Sequence, residues 1–215
     1  MESNMKLQKM IEDFFQEHEN LKVCRNDFEQ AFQILQECYS KNKKVLLCGN
    51  GGSAADSEHI VGELMKGFVK KRKLSADEQE ALIRIDPDHG HYLAENLQGA
   101  LPAISLTGHP SLSTAYSNDV APDMIFAQQL YGYGLEGDTL IGLSTSGNSN
   151  NVINAVLVAK ARGVKTIAFT GEQGGKLKDL CDVCLKVPSD ETYRIQEFHL
   201  PLYHLLCLLL EESFF

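Results

Sequence analysis

A histidine and a glutamate that could move protons lie four residues apart, at His59 and Glu63. Residues at this spacing share one face of a helix, and an imidazole beside a carboxylate suits acid–base catalysis or metal binding. Just before them, the glycine-rich run 49–52 follows an apolar segment, and Ser53 stands where a helix N-cap is expected. Because glycine accepts positive φ and a helix start offers free N–H groups, this turn predicts a phosphate site.

A second loop, residues 144–149, reads Ser-Thr-Ser-Gly-Asn-Ser and so carries four hydroxyl groups. It follows an apolar run at 138–143 and precedes a predicted helix at 149–162. Hydroxyls and backbone N–H groups together can satisfy the acceptor oxygens of a phosphate monoester. A turn with a simple N-cap is the alternative. Because loops after parallel strands meet at the carboxyl edge of a sheet, the pairing of the two loops favours phosphate binding.

A third group of candidates lies in the apolar stretch 192–212, which predicts a long final helix. Gln196 and His204 are eight residues apart, about 80° around a helix, and so project to neighbouring sides. His199 lies between them. A histidine in an apolar helix is usually a hydrogen-bonded core residue, and this alternative stays open for both histidines. Pro201 removes one backbone hydrogen bond and could kink the helix beside His204.

Three weaker signals have competing interpretations. The first glycine turn fits a dinucleotide fingerprint loosely, but that motif needs an acidic residue about 20 positions later, where this chain has the basic stretch 68–73. The histidines of 86–91, Asp-Pro-Asp-His-Gly-His, could bind a metal, although a polar surface turn is preferred. Cys181 and Cys184 have metal or redox spacing, but no second pair accompanies them, so a structural role is preferred.

The elements that would position these groups alternate along the chain. Two amphipathic helices are predicted first, at 4–19 and 24–40. Strands are predicted at 43–48, 102–106, 138–143, 164–169 and 183–187. Further helices are predicted at 54–68, 76–85 (with Ser75 as N-cap), 92–99, 122–130, 149–162, 176–180 and 192–212. The segments 86–91 and 107–119 are predicted to be loops. Five strands alternating with helices predict one α/β domain with a parallel sheet covered on both faces.

Composition limits the classes of function. The chain has 215 residues, 43% hydrophobic and 23% charged, with a formal net charge of -9. This balance argues against broad binding to nucleic acid or anionic membranes. No apolar stretch reaches the roughly 20 residues needed to span a bilayer, and the N-terminus lacks a signal-peptide core. The six cysteines lie mostly in apolar patterns, as free thiols do, so we expect a reduced, cytoplasmic protein.

Three motifs together resemble the sugar isomerase (SIS) domain family, and within it the branch that isomerises heptose phosphates. They are the Cys-Gly-Asn-Gly-Gly-Ser turn with its His/Glu pair, the loop 144–149, and Arg-Ile-Gln at 194–196. The resemblance covers nearly the whole chain in order. The segment at about 70–100 departs from the family pattern, because it is longer than the usual connection. At one position, Tyr193 replaces the small or acidic residue that is common there.

The resemblance implies a three-layer αβα sandwich of the flavodoxin-like type around a five-stranded parallel sheet. It implies a single SIS domain over 1–215, with N-terminal helices at 1–42 and an inserted segment at about 70–100. It also implies a homotetramer with active sites between subunits, and one zinc ion per subunit. The zinc ligands carried over by motif are His59, Glu63, Gln196 and His204. The sugar-phosphate contacts carried over are Asn50, Gly51, Gly52, Ser53, Glu63, Asn118, Asp119, Ser144, Thr145, Ser146, Ser149 and Gln196.

The activity that the resemblance implies is conversion of sedoheptulose 7-phosphate to D-glycero-D-manno-heptose 7-phosphate through an enediol. Such a reaction needs a base, an acid and a group that stabilises an oxyanion. Glu63 is the candidate base, His204 the candidate acid, and zinc could polarise the carbonyl. Zinc ligation would weaken Glu63 as a base, and the sequence does not decide between these roles.

Three alternatives to this activity remain open. The first is isomerisation of another sugar phosphate. The second is a non-catalytic SIS adaptor that binds a bacterial replication initiator; such adaptors lack residues matching Glu63 and His204, so the enzyme is preferred. The third is a sugar-phosphate sensor domain, which is disfavoured because no helix-turn-helix segment is evident.

Overall fold

A computed structural model of the chain describes the backbone of residues 2–215 and the side chains from residue 5 onward. Its five strands form one sheet in the order β2-β1-β3-β4-β5, and every neighbouring pair is parallel. The strands are β1 Val45–Gly49, β2 Ala103–Ser105, β3 Thr139–Leu143, β4 Lys165–Thr170 and β5 Val183–Lys186. The predicted five-stranded parallel α/β fold is confirmed. The chain leaves β1 toward β2 on one side and leaves β3 toward β4 on the other, and ligands bind at the switch point between two such strands.

Helices cover both faces of the sheet. They are α1 Glu2–Glu17, α2 Arg25–Ser40, α3 Gly52–Met65, α4 Ala76–Ile85, α5 Pro87–Asn96, α6 Pro110–Asp119, α7 Ile125–Tyr133, α8 Asn150–Ala161, α9 Leu177–Leu180 and α10 Thr192–Phe214. Short 3₁₀ turns lie at Glu19–Cys24 and Pro122–Met124. Leu47 and Ile141 join one core with α1, α2, α3 and α10. Leu46 and Leu140 join the other core with α7 and α8. Because successive strand residues point to opposite faces, the result is three layers.

Two segments predicted as loops are helical, and both predictions are wrong for the same reason. The segment 86–91 lies mostly in α5, where Asp86 is the N-cap and its carboxylate accepts the N–H of His89 at 2.9 Å. The end of the predicted loop 107–119 is α6, which begins at Pro110. Each helix begins at a proline, Pro87 or Pro110, because the fixed φ and missing N–H of proline suit the first position of a helix.

The inserted segment forms a helical hairpin, in which α4 and α5 pack against each other. The predicted N-cap at Ser75 is confirmed, and Ser75 forms a capping box with Glu78. Gly90 allows the close crossing, since a Cβ there would lie 2.5 Å from the Cα of Ile83. The hairpin joins the domain through Gln98, whose side chain accepts the N–H of Gly67 at 2.7 Å. No helix within residues 2–215 is both long enough and apolar enough to cross a membrane.

All six cysteines are free thiols. Cys24, Cys38, Cys48, Cys184 and Cys207 are buried, and Cys181 is partly buried. Burial raises the pKa of the Cys181 and Cys184 thiols. The thiol form therefore dominates near neutral pH, as a structural role for the Cys181–Cys184 pair requires.

Candidate active site

The two predicted phosphate loops lie side by side after the neighbouring strands β1 and β3, and they enclose a cavity of about 290 Å³. Its walls come from the first loop, the second loop and the first turns of α10. The lining residues are Asn50, Gly51, Gly52, Ser53, Leu143, Ser144, Thr145, Ser149, Thr192 and Gln196. The structure therefore brings together eight of the sugar-phosphate residues expected from sequence. Thr192 and Leu143 were missed, although Thr192 stands only four residues before Gln196.

The first loop turns one step earlier than the sequence indicated. Gly51 is the N-cap with φ at 56°, and α3 begins at Gly52. Ser53 lies inside the first turn and is 3% exposed, so its prediction as the N-cap is wrong. The reason is that Gly51 accepts the left-handed conformation and lets the helix start sooner. Within the described chain the N–H groups of Gly51 and Gly52 donate no hydrogen bond, and both residues line the cavity, as phosphate binding at a helix start requires.

The second loop contributes hydroxyl groups to the same cavity. Ser144 and Ser149 lie with their Oγ atoms 2.9 Å apart. Gly147, with φ at 66°, packs directly on the backbone of Gly174, where a Cβ would clash. Ser146 is turned outward and exposed, and its Oγ accepts the N–H of Asn148 at 3.2 Å. Of the hydroxyls expected to bind the sugar phosphate, Ser146 is therefore the one that does not line the cavity.

An amide pair joins the two loops. The Nδ2 of Asn50 donates to the Oδ1 of Asn151 at 3.0 Å, and the Nδ2 of Asn151 donates back to the Oδ1 of Asn50 at 2.8 Å. This pair fixes the orientation of a side chain that lines the cavity. Sequence reasoning missed Asn151, and its position just after the hydroxyl loop was the available signal.

Gln196 reaches the cavity from α10 and packs on the glycine loop. A Cβ built on Gly52 would lie 2.5 Å from the Nε2 of Gln196. The first loop therefore needs glycine at this position to admit the Gln196 side chain. This contact confirms that α3 and α10 meet at the cavity.

The residues predicted to perform acid–base chemistry form a separate row on the same two helices. The Nε2 of His59 lies 3.4 Å from the Oε1 of Glu63 and 3.5 Å from the Nε2 of His204. Lys66 pairs with the other carboxylate oxygen of Glu63 at 3.2 Å. The ring of Phe68 lies 5.5 Å from that of His204. The row therefore continues from Lys66 through Glu63 and His59 to His204.

Two residues that the sequence did not reveal hold His59. The hydroxyl of Tyr203 donates to the Oδ1 of Asp56 at 3.2 Å and lies 3.0 Å from the Nδ1 of His59. Burial raises the pKa of Tyr203, and the nearby Asp56 carboxylate raises it further. If the hydroxyl donates to Asp56, Nδ1–H of His59 must be the donor to Tyr203, which leaves an Nε2 lone pair that can accept an N–H of His204 or bind a metal. Asp56 stands three residues before His59, which is one helical turn.

His204 and His199 differ sharply although they share one helix. Burial and the neighbouring His59 lower the pKa of His204, while Glu63 opposes this shift. The neutral imidazole is thereby favoured, which can accept a proton or bind a metal. His199 is fully buried and its Nε2 lies 3.2 Å from the carbonyl oxygen of Thr170. It is the hydrogen-bonded core histidine that the alternative interpretation described.

The donor set of the row suits zinc, which binds two imidazoles and a carboxylate in many catalytic sites. The 3.4 and 3.5 Å separations match the edges of a tetrahedron whose bonds are about 2.0–2.2 Å long. The third edge is open, since Glu63 and His204 form no ion pair among the described residues. As the side chains stand, no group of three or more His, Cys, Asp or Glu residues in 5–215 is placed to hold a metal ion.

Within a single chain, none of the row residues Lys66, Glu63, His59 and His204 lines the cavity. Gln196 and His204 lie eight residues apart on α10, about 12 Å along the helix axis, and the Gln196 side chain packs on Gly52 at the cavity and not in the row. Asn118 and Asp119 are exposed at the end of α6, with their side chains 2.8 Å apart, and do not line the cavity. α10 continues as one helix through Pro201 and carries His204 to the row.

Comparison with known proteins agrees with this architecture. The family model of the SIS domain matches residues 11–85 and 89–171, so the chain belongs to the SIS domain family. A phosphoheptose isomerase of Nitratiruptor is 44% identical over 181 residues, which are 84% of this chain and 83% of that protein. A phosphoheptose isomerase of Aneurinibacillus thermoaerophilus is 41% identical over 87% of this chain and 81% of its own length.

Solved structures give the same result. The phosphoheptose isomerase of Neisseria gonorrhoeae superimposes with a TM-score of 0.72 at 32% identity, covering 97% of this chain and 98% of that one. The enzyme of Francisella tularensis gives a TM-score of 0.74 at 32% identity, with 98% of both chains covered. Within the SIS domain family, the chain is thus similar to phosphoheptose isomerases over nearly its whole length.

Proposed function

We propose that this protein is an aldose–ketose isomerase that interconverts sedoheptulose 7-phosphate and D-glycero-D-manno-heptose 7-phosphate. The observation that carries the proposal is the joining of a phosphate cavity to a His/Glu/His row by the same two helices, α3 and α10. The similarity to phosphoheptose isomerases supports the choice of a heptose phosphate as the substrate. The row begins seven residues beyond the start of α3, about 10 Å along its axis, and an extended sugar phosphate of long carbon chain suits that separation.

In the proposed reaction the cavity binds the phosphate and directs the carbonyl end of the open-chain sugar toward the row. Glu63 removes a proton from C1 of the ketose and returns it to C2, and His204 moves a proton between O2 and O1. The enediolate that forms before the enediol places negative charge near the imidazoles. No redox partner is needed, because the two carbons exchange oxidation states.

We propose that zinc is the cofactor, held by His59, Glu63 and His204 and polarising the sugar carbonyl when bound. Gln196, the fourth ligand implied by the family resemblance, packs on Gly52 at the cavity of its own chain, and we propose that it reaches the zinc held by the row of another subunit. Such sharing fits the proposed homotetramer with active sites between subunits. Six free thiols support a reducing compartment such as the cytoplasm.

The test is an isomerisation assay on ketose phosphates of five, six and seven carbons, with and without a metal chelator. We expect turnover to be fastest on the seven-carbon substrate and to be lost with chelation and restored by added zinc. Faster turnover of a shorter sugar phosphate would identify that sugar as the substrate. Turnover that persists with the chelator would show that the reaction does not need a metal. Binding of sugar phosphates without any turnover would indicate that the protein is an SIS binding module and not an enzyme.

A further inference from the structure

A buried ion pair lies where the ends of α3 and α10 meet, outside every motif that the sequence offered. The Nε of Arg72 is 2.8 Å from the Oε1 of Glu211, and their side chains are 0% and 1% exposed. A buried ion pair is weak evidence for stability, because desolvation offsets the attraction and apolar substitutes often serve as well. The contacts of the two side chains indicate a different role.

Arg72 holds the end of the helix that carries the candidate base. Its Nη1 donates to the carbonyl oxygen of Leu64 at 2.6 Å, and its Nη2 donates to that of Glu63 at 2.9 Å. The last carbonyls of a helix have no partner within the helix, so the guanidinium supplies one. The backbone of Glu63 is thereby fixed by a rigid, buried group.

Glu211 holds the chain that follows α3. Its carboxylate accepts the N–H groups of Phe68, Val69 and Lys70 at 2.8, 2.9 and 3.1 Å. Burial alone would raise the pKa of Glu211, but these N–H groups and Arg72 outweigh it and lower the pKa. The fixed segment places the ring of Phe68 against that of His204 at 5.5 Å. One carboxylate on α10 therefore sets both the segment after Glu63 and the packing of His204.

We propose that Arg72 and Glu211 are positioning residues for isomerisation, which hold the carboxylate of Glu63 and the imidazole of His204 at their working separation. The proposal rests on the proposed function. Neither residue lines the cavity or belongs to the row, so both act through other groups. Positioning of this kind has large kinetic consequences, since a displacement of about 1 Å can cost about 100-fold in rate.

The experiment compares Glu211→Gln with a matched control, the buried carboxylate of Asp138 just before β3. Asp138 is also 1% exposed and accepts the N–H groups of Lys44 at 3.0 Å and Leu135 at 2.8 Å. We expect Glu211→Gln to lower kcat about 10- to 100-fold with KM changed less than about twofold. Asp138→Asn should lower the melting temperature while leaving the kcat of the folded protein near the wild-type value.

A conservative variant and a second measurement complete the test. Arg72→Lys keeps the charge but loses the second donor to α3, so its kcat should lie between the wild-type and Glu211→Gln values. Hydrogen exchange followed by mass spectrometry should be faster across 60–73 in both variants, and unchanged there in Asp138→Asn.

The outcomes separate the two proposals. A wild-type protein without isomerase activity refutes the proposed function. The exchange rates of 60–73 still test whether Arg72 and Glu211 fix that segment. Unchanged exchange there, or a kcat for Glu211→Gln within about twofold of wild type, overturns the positioning role. An equal fall of kcat in the Asp138→Asn control overturns it as well. If Glu211→Gln does not fold, Arg72→Lys and the control give the same comparison.

Discussion

The phosphate cavity and the acid–base row are built on different principles, although α3 and α10 serve both. The cavity uses backbone N–H groups and short hydroxyl side chains, whose places are set by the ends of β1 and β3. The row uses long side chains from two helices, whose meeting depends on how those helices pack. The sheet topology therefore positions the residues that bind phosphate, whereas buried contacts such as those of Tyr203 and Arg72 position the acid–base residues.

The largest effect is expected for a substitution that disrupts the row and leaves the cavity intact. Glu63→Gln removes the base without changing the volume of the side chain. We expect kcat to fall by about 10² to 10⁴, while the affinity for the sugar phosphate stays near the wild-type value. Steady-state kinetics together with calorimetric titration of a phosphosugar measures both. Retained turnover would assign the base to another residue.

Much of the cavity could be predicted from sequence because its signals are local. A strand, a glycine turn and a helix follow one another in the chain, so each loop can be recognised without knowledge of its neighbours. The parallel sheet then brings 49–53 and 144–149 together by rule. The error at the N-cap, Ser53 in place of Gly51, arose because glycine and serine both suit that place.

The rest of the site could not be predicted because its contacts cross long stretches of chain. Asp56 and Tyr203 meet His59 only when α10 packs on α3. Arg72 belongs to the basic stretch 68–73, yet it is 1% exposed, because it pairs with Glu211, which is 139 residues away in sequence. Such pairings have no local signature. The same limit applies to prolines, which can end an element or begin one.

The next prediction concerns His199, which lies on α10 between the cavity and the row. Burial lowers the pKa of His199 to about 4, although its hydrogen bond with Thr170 opposes this. As pH falls below the ordinary value of 6.5, the unfolded chain takes up the proton first, so stability is lost between about pH 6.5 and 4. The loss should total about 3 kcal/mol, since one pKa unit is worth about 1.4 kcal/mol.

Urea unfolding at pH 7, 6, 5 and 4 measures this loss, with His199→Gln as the comparison. Glutamine keeps an N–H donor for Thr170 but does not titrate. The difference in unfolding free energy between wild type and variant should therefore change with pH in the direction just given. Parallel pH profiles for the two proteins would show that His199 is not the titrating group.

A smaller effect is expected where the cavity meets α10. In Gly52→Ala the new Cβ would lie 2.5 Å from the Nε2 of Gln196. Because that atom is the end of a flexible side chain, Gln196 should move and the fold should remain. We expect KM to rise about tenfold or more, as for loss of one charge-assisted hydrogen bond to phosphate. Gly62→Ala on the same helix, with no atom within 4 Å of its Cβ, is the control.

The smallest effect distinguishes hydroxyls within one loop. Ser149 lines the cavity beside Ser144, whereas the hydroxyl of Ser146 is bonded to the N–H of Asn148. Ser149→Ala should raise KM about 5- to 10-fold, as for one lost hydrogen bond of about 1 kcal/mol. Ser146→Ala should raise KM less, through loosening of the loop. The reverse order of KM values would mean that the loop turns Ser146 inward when the sugar phosphate binds, so that the ligand completes the cavity.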